Sequence, residues 1–213
     1  MDTIVERVGA LGPLRPIRVA VDGITAAGKT TFAGRLADAL SARGRPVIRV
    51  SMDGFHNPRA LRYRQGRGSA DGYYEDAYDF DAVRRVLLDP LGPGGDRRYR
   101  TAVIDLAADE PAGGTSLVVE RYAVLVVDGS FLQKPELRDG WDLVIYLRTS
   151  FEAAEERGAR RDAELLGGVE AARTVFRSRY HAAQRRYLAE CDPETTADIV
   201  IDVEDPAAPT IVR

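Results

Sequence analysis

Cysteine is nearly absent: Cys191 stands alone among 213 residues. One thiol excludes an internal disulfide and suits a reducing compartment, so a cytoplasmic location is expected. Long hydrophobic runs are missing as well. The longest, Ala123 to Val127, is far too short to cross a bilayer. The opening residues Met1 to Arg7 hold no extended apolar stretch and do not read as a secretory signal. Nor is there an excess of either charge, since 30 basic against 33 acidic side chains leave a formal net charge of −3. No field suited to nucleic acid or to an anionic membrane surface is therefore expected. Internal repeats are lacking too, and the length fits a single α/β domain, 1–213, with one substantial core.

Lysine is scarce. Only two of the 30 basic side chains are lysines, Lys29 and Lys134; the rest are arginines. Lys29 lies in Gly23-Ile24-Thr25-Ala26-Ala27-Gly28-Lys29-Thr30, followed by Thr31. Arginine is a planar fork, whereas lysine is a compact charge on a flexible stem. A loop wrapped tightly round a phosphate chain has room for the second and not the first. The string matches G-x-x-x-x-G-K-[ST], a phosphate-binding loop. Both flanks agree with it. Ile17 to Val21 reads as a buried strand, and Phe32, Leu36 and Leu40 recur at helical spacing until Gly44 and Pro46 close the helix. In that arrangement the backbone from Gly23 through Thr25, Ala26, Ala27 and Gly28 to Thr31 cradles the phosphates of ATP. Lys29 reaches the β- and γ-phosphates, and the Thr30 hydroxyl holds Mg2+.

Further strands are expected at Val47 to Met52, Ala123 to Asp128, Leu143 to Leu147 and Asp198 to Ile201. Most are near-continuous apolar runs, as strands covered on both faces are. Helices are expected near Asp81 to Leu88, Ser150 to Arg161 and Val169 to Leu188, the second opened by a capping box of Thr149 and Glu152. Asn57 to Gly72 and Pro90 to Gly95 read as loops, and Tyr99 to Glu120 as irregular chain with a small hairpin. The alternation predicts a parallel sheet with helices on both sides.

Ligands bind at the carboxyl ends of such strands. Asp128 ends one apolar strand before Gly129, where a carboxylate would help to hold Mg2+; the plainer alternative is a turn. Asp53 closes another, within Met52-Asp53-Gly54-Phe55-His56. There it could take the proton of a hydroxyl attacking the γ-phosphate, the alternative being an Asx turn. His56 is a candidate substrate contact.

Together these elements resemble the uridine kinase group of P-loop kinases, near the pantothenate kinases and phosphoribulokinases. The resemblance runs from about Ile17 to about Pro209. Besides the phosphate loop, Asp53 and Val127-Asp128-Gly129, it includes Phe80-Asp81, Arg157 to Asp162, Arg179-Tyr180 and Ala197 to Asp202. It implies a three-layer fold with a five-stranded parallel sheet, the Asp128 strand lying between the first two. It implies ATP and Mg2+ as cofactors, Asp53 as catalytic base, and an acceptor-binding insertion over 55–120. It implies a lid and following helix over 150–190, with Arg157 and Arg161 on phosphates, and a tail after the fifth strand that helps to hold adenine. The acceptor is a small-molecule hydroxyl, most simply the 5′-OH of uridine or cytidine. Glu75 is the closest match to the family's ribose-binding carboxylate, and Tyr99 to its base-contacting tyrosine. The histidine that follows that tyrosine in the family has no counterpart between Thr101 and Glu120. Pantothenate-like or sugar-like alcohols are therefore alternative acceptors. A P-loop regulatory nucleotidase is a further alternative, although neither lysine lies in the Asn-Lys-x-Asp element of guanine-specific switches. A binding module with a relict site is the third. Whether the chain forms a homo-oligomer is left open.

Overall fold

The computed structural model describes residues 1–12 and 14–213. Its centre is a sheet built from β1 (Ile17–Gly23), β2 (Val47–Ser51), β3 (Val124–Asp128), β4 (Leu143–Arg148), β5 (Ile199–Asp202) and β6 (Thr210–Ile211). The order in space is β6-β5-β4-β1-β3-β2. The first five strands are parallel, and β3 lies between β1 and β2 as expected. The sheet has one strand more than expected, because the short β6 turns back antiparallel onto β5.

Alternate residues of the same strands feed two separate cores, the consequence of a two-residue side-chain period. Val19, Val21, Val124, Val126, Ile145 and Ile199 face one way. There they meet Ile4, Val5 and Val8 of α1 (Asp2–Ala10), and Phe32, Leu36 and Leu40 of α2 (Lys29–Ala42). Ala20, Ile48, Val50, Leu125, Val127 and Val144 face the other way. This second core is closed by α3 (Ala70–Asp76), by the helical run 80–91 (α4) and by the helical run 169–191 (α6). Helix α5 (Phe151–Leu166) precedes α6 and packs along it. The cap of α5 is Ser150, whose hydroxyl accepts from Ala153 N–H, rather than Thr149. Thr149 and Ser150 both donate to the Glu204 carboxylate instead.

Besides β6, other elements were not expected, among them a short helical turn at Arg59–Arg62. Helix α1 lies before the first strand, and α3 begins inside the stretch read as loop. Ser69 caps α3 by accepting from Gly72 N–H at 2.9 Å. The segment 99–120 does form hairpin-like ribbons: Arg98–Tyr99 pairs with Leu117–Val118, and Ile104–Asp105 with Glu110–Pro111. Among the described residues, no helix is long and apolar enough to cross a membrane.

A buried polar knot ties the end of β1 to α6. Asp22 is fully buried and accepts from Gly23 N–H, the Gln133 amide and the Tyr187 hydroxyl. The same hydroxyl accepts from Gln133 N–H at 2.9 Å. Tyr187→Phe would strip Asp22 of one donor and leave a buried N–H unpaired. The expected cost is about 1–3 kcal/mol, read as a lower urea midpoint. An unchanged midpoint would show that the knot does not hold α6 to the sheet.

Candidate active site

Strand register brings the chemistry to one end of the sheet. Asp128 lies level with Val21 on β1 and with Ser51 on β2. The phosphate loop leaves β1 two residues beyond Val21, and Asp53 follows Ser51 by two. Gly129 turns the chain after β3 against the Met52 side chain; a Cβ there would sit 2.2 Å from Met52 Cγ, so a side chain has no room.

The loop enters α2 through Gly28, which is left-handed at φ 90°. No side chain caps α2. Its first-turn N–H groups, those of Lys29, Thr30 and Thr31, have no acceptors within the helix and lie where an anion would meet the positive end of the dipole. Lys29 Nζ folds back beneath the loop and donates to the Gly23 and Ile24 carbonyls at 2.9 and 2.8 Å. Burial pushes its pKa down to about 8, against the opposing pull of Asp22 and Asp128.

Thr30 Oγ1 donates to Asp128 Oδ2 at 2.6 Å. Asp128 Oδ1 is buried without a hydrogen-bond partner, although the Arg49 guanidinium lies 2.8 Å from it as an ion pair. A hydroxyl and a buried carboxylate oxygen with spare capacity suit a hard cation such as Mg2+, which binds few protein ligands when phosphates and water supply the rest. Among the described residues no cluster of three or more His, Cys, Asp or Glu forms a complete cage.

Next to the loop lies a pocket of about 300 Å³ lined by Thr25, Asp53, His56, Tyr78 and Arg161, among others. Asp53 forms no Asx turn; its N–H is instead taken by the Ser51 hydroxyl at 3.2 Å. His56 is held on two sides. Its Nδ1 donates to the Ala77 carbonyl at 2.8 Å, and its ring stacks on Tyr78 with centroids 4.3 Å apart. That leaves Nε2 facing Asp53 Oδ1 at 3.7 Å. The nearby His56, opposed by partial burial and aided by the Lys29 charge, holds the Asp53 carboxyl below its ordinary range, as an ion-pair contact and not a hydrogen bond at this distance.

A second groove of about 220 Å³ runs along the other side of the loop, lined by Gly28, Phe32, Leu147, Val203, Pro206 and Pro209. Arg157 lines this groove and not the pocket beside Asp53. Its guanidinium donates to the Val203 carbonyl at 3.1 Å and to Thr149 Oγ1 at 2.7 Å. Arg157 and Arg161, both expected on phosphates, thus face different cavities, each bordered by the phosphate loop.

Glu75 and Tyr99 also depart from expectation. Glu75 turns outward to Arg186 at 2.6 Å and Gln65 at 3.0 Å, and it lines no part of the pocket. Tyr99 is buried in the core beside the ribbon it forms with Leu117. In their place the pocket presents Arg62, Tyr63, Tyr73, Asp162, Arg179 and Tyr180, none of them singled out as an acceptor contact from the sequence. The signal available was the pairing of arginine with tyrosine in Arg62-Tyr63 and Arg179-Tyr180. Arg49 was also missed, and its trace was a charge in the middle of a strand.

No protein-family model matches the chain, and no curated protein matches it by sequence. Solved structures do. A possible uridine kinase from Bacillus stearothermophilus superposes with a TM-score of 0.73 at 24% identity, over 93% of this chain and 95% of that one. A candidate fructose transport system kinase from Silicibacter sp. TM1040 gives 0.70 at 28% identity, over 88% and 91%. A D-glycerate 3-kinase from Cryptococcus neoformans gives 0.61 at 14% identity, over 99% and 98%. The chain thus has the fold of the uridine kinase-like P-loop kinases over nearly its whole length.

Proposed function

We propose that this protein is an ATP-dependent phosphotransferase that moves the γ-phosphate to a hydroxyl of a small molecule held over Asp53. The observation that carries this reading is that Lys29, Thr30 and Asp128 stand at the same end of the sheet as Asp53, whose pocket is also lined by Thr25 of the phosphate loop. A phosphate cradle alone would serve any nucleotide-binding protein. A carboxylate facing a separate pocket beside that cradle serves an acceptor.

In this reading adenine lies in the groove between α2 and the tail after β5, against Phe32, Val203, Pro206 and Pro209. Thr30 and Asp128 would hold Mg2+. When bound, the ion neutralises charge on the β- and γ-phosphates. Asp53 accepts the proton of the attacking hydroxyl, and its low pKa keeps it ready as the carboxylate. Arg161, across the same pocket, would meet charge on the transferred group. Transfer is mainly a matter of positioning, which the rigid strand ends supply.

A ribonucleoside acceptor keeps one supporting observation, a wall of tyrosines on which a base could stack. It has lost the Glu75 carboxylate for its diol. Proteins of similar fold carry names as different as fructose transport system kinase and D-glycerate 3-kinase, so we take the acceptor no further than a small alcohol.

Measuring ADP release from Mg·ATP with and without uridine, cytidine, pantothenate, D-glycerate and fructose tests the reading. Acceptor-dependent release supports it. Equal release without acceptor points to a nucleotidase, and no release to a binding module. A second expectation concerns pH. Because His56 is the main cause of the low Asp53 pKa, His56→Ala should let that pKa rise. The carboxylate would then be lost at a higher pH, so the acid limb of kcat/KM should move upward. A limb that stays in place would separate His56 from the base.

A further inference from the structure

We infer that the acceptor carries an anionic group, a carboxylate or a phosphate, and that Arg179 is the residue that selects it. This rests on the phosphotransferase reading of the same pocket.

Three arginines line that pocket, and two of them have partners. Arg161 forks onto Asp162 at 2.8 and 2.9 Å. Arg62 donates to the Asn57 carbonyl at 3.2 Å and lies 3.5 Å from Asp109. Arg179 has no carboxylate partner among the described residues, and its Nε is buried with no hydrogen bond at all. What it does have is aromatic packing. Its guanidinium lies 5.5 Å from the Tyr63 ring centre, 5.1 Å from Tyr73 and 5.2 Å from Tyr180. Rings on several sides hold the guanidinium in place and shield its Nε, but the residue is only partly buried and its N–H edge is left unanswered. A planar fork of donors, held by rings and lacking an acidic partner, matches a carboxylate or phosphate, which accepts two parallel bonds.

The backbone supports this placement. Arg179 and Tyr180 fall within a π turn, Phe176–His181, in the middle of α6. Such turns are uncommon and gather at functional sites, because they re-aim side chains that an unbroken helix would send elsewhere. The pocket's own carboxylates do not answer Arg179: Asp162 is held by Arg161, and Asp53 faces His56. Tyr63 reports the resulting field. Burial pushes its phenol up, yet the nearby guanidiniums of Arg62, Arg179 and Arg67 outweigh that and leave it below its ordinary value. A neutral sugar or nucleoside would leave this excess of positive charge unmet. An anionic alcohol would meet it, its charged group on Arg179 and its hydroxyl toward Asp53.

The test uses the whole protein with the nucleotide site filled by Mg·AMP-PNP. Inorganic phosphate and acetate are titrated separately against chloride at equal ionic strength, and the melting temperature is read. Wild type should be stabilised by one of them, and which one separates a phosphate-bearing from a carboxylate-bearing acceptor. Arg179→Gln and Arg179→Met should lose that gain while keeping the stabilisation by Mg·AMP-PNP, which shows that they fold. Turnover is compared for glycerol against glycerol 3-phosphate and D-glycerate, for fructose against fructose 1-phosphate, and for uridine and cytidine. The charged compounds should be preferred. Arg179→Gln should cost roughly 10–150-fold in their kcat/KM, through the acceptor KM and not that of ATP. Equal anion stabilisation of wild type and both variants would overturn the inference. So would uridine or cytidine as best substrate with a KM indifferent to Arg179→Gln, or a loss confined to the KM for ATP. Absence of transfer to every compound would overturn the kinase reading instead, and the melting shifts would still decide the anion site.

Discussion

Asp53→Asn should slow phosphoryl transfer by about 10²–10⁴-fold while leaving Mg·ATP binding nearly intact. The amide keeps the shape of the side chain but cannot take a proton. Asp53 makes no hydrogen bond to the phosphate cradle and acts on Lys29 only through its charge; its ion-pair contact is His56 at 3.7 Å. Asp128→Asn should behave differently. It removes charge beside Thr30, so more Mg2+ should be needed for the same rate. Titrating Mg2+ against both variants separates the two carboxylates. If Asp53→Asn keeps full activity, the base is elsewhere, and Asp162 is the other carboxylate lining the pocket.

Lys29→Ala should lose a charge-assisted contact of about 1.5–3 kcal/mol. Turnover should fall further than ATP affinity if the contact tightens as charge builds on the bridging oxygen. Lys29 rests on the Gly23 and Ile24 carbonyls, which hold its side chain inside the loop. Its depressed pKa gives a second readout. Below about pH 8 the ammonium is already charged, and binding should take up no proton through it. Above that pH the free protein has released the proton, and the incoming phosphates should draw it back. Calorimetry in buffers of different ionisation enthalpy should show that uptake in wild type and not in Lys29→Ala. The linkage to folding has the opposite sense. The depressed group loses its proton first in the folded state, so its contribution to stability grows as pH rises from about 8 toward the ordinary lysine value. Unchanged turnover and affinity in Lys29→Ala would contradict the phosphate-loop assignment.

The phosphate loop and the parallel strands were legible because each rests on local pattern. Four strands bury both faces and read as apolar runs, and the glycine loop binds phosphate through backbone that only certain residues permit. Asp53 and Asp128 followed because strand ends are where open sheets bind ligands. Helix α3 was hidden by its neighbours: glycines and arginines before it, and Gly72 within it, masked seven residues capped by Ser69. Strand β6 is only two residues long and owes its existence to pairing with β5, which no local signal shows. The acceptor wall was illegible for a related reason. Tyr63, Tyr73, Tyr78, Arg179 and Tyr180 come from distant parts of the chain and meet only once α3 and α6 pack together. Glu75 is two helical residues from Tyr73, and on a helix that step turns a side chain to a different face. Tyr73 lines the pocket and Glu75 pairs with Arg186 outside it.

The central claim is transfer to a hydroxyl, as opposed to hydrolysis or binding alone. Its most direct test is to incubate wild type and Asp53→Asn with Mg·ATP radiolabelled at the γ-phosphate and with an acceptor that supports ADP release. The label should appear in an organic phosphate ester with wild type, at a rate matching ADP release, and fall by about 10²–10⁴-fold with Asp53→Asn. Label recovered as inorganic phosphate, at equal rates with and without acceptor, would contradict the account.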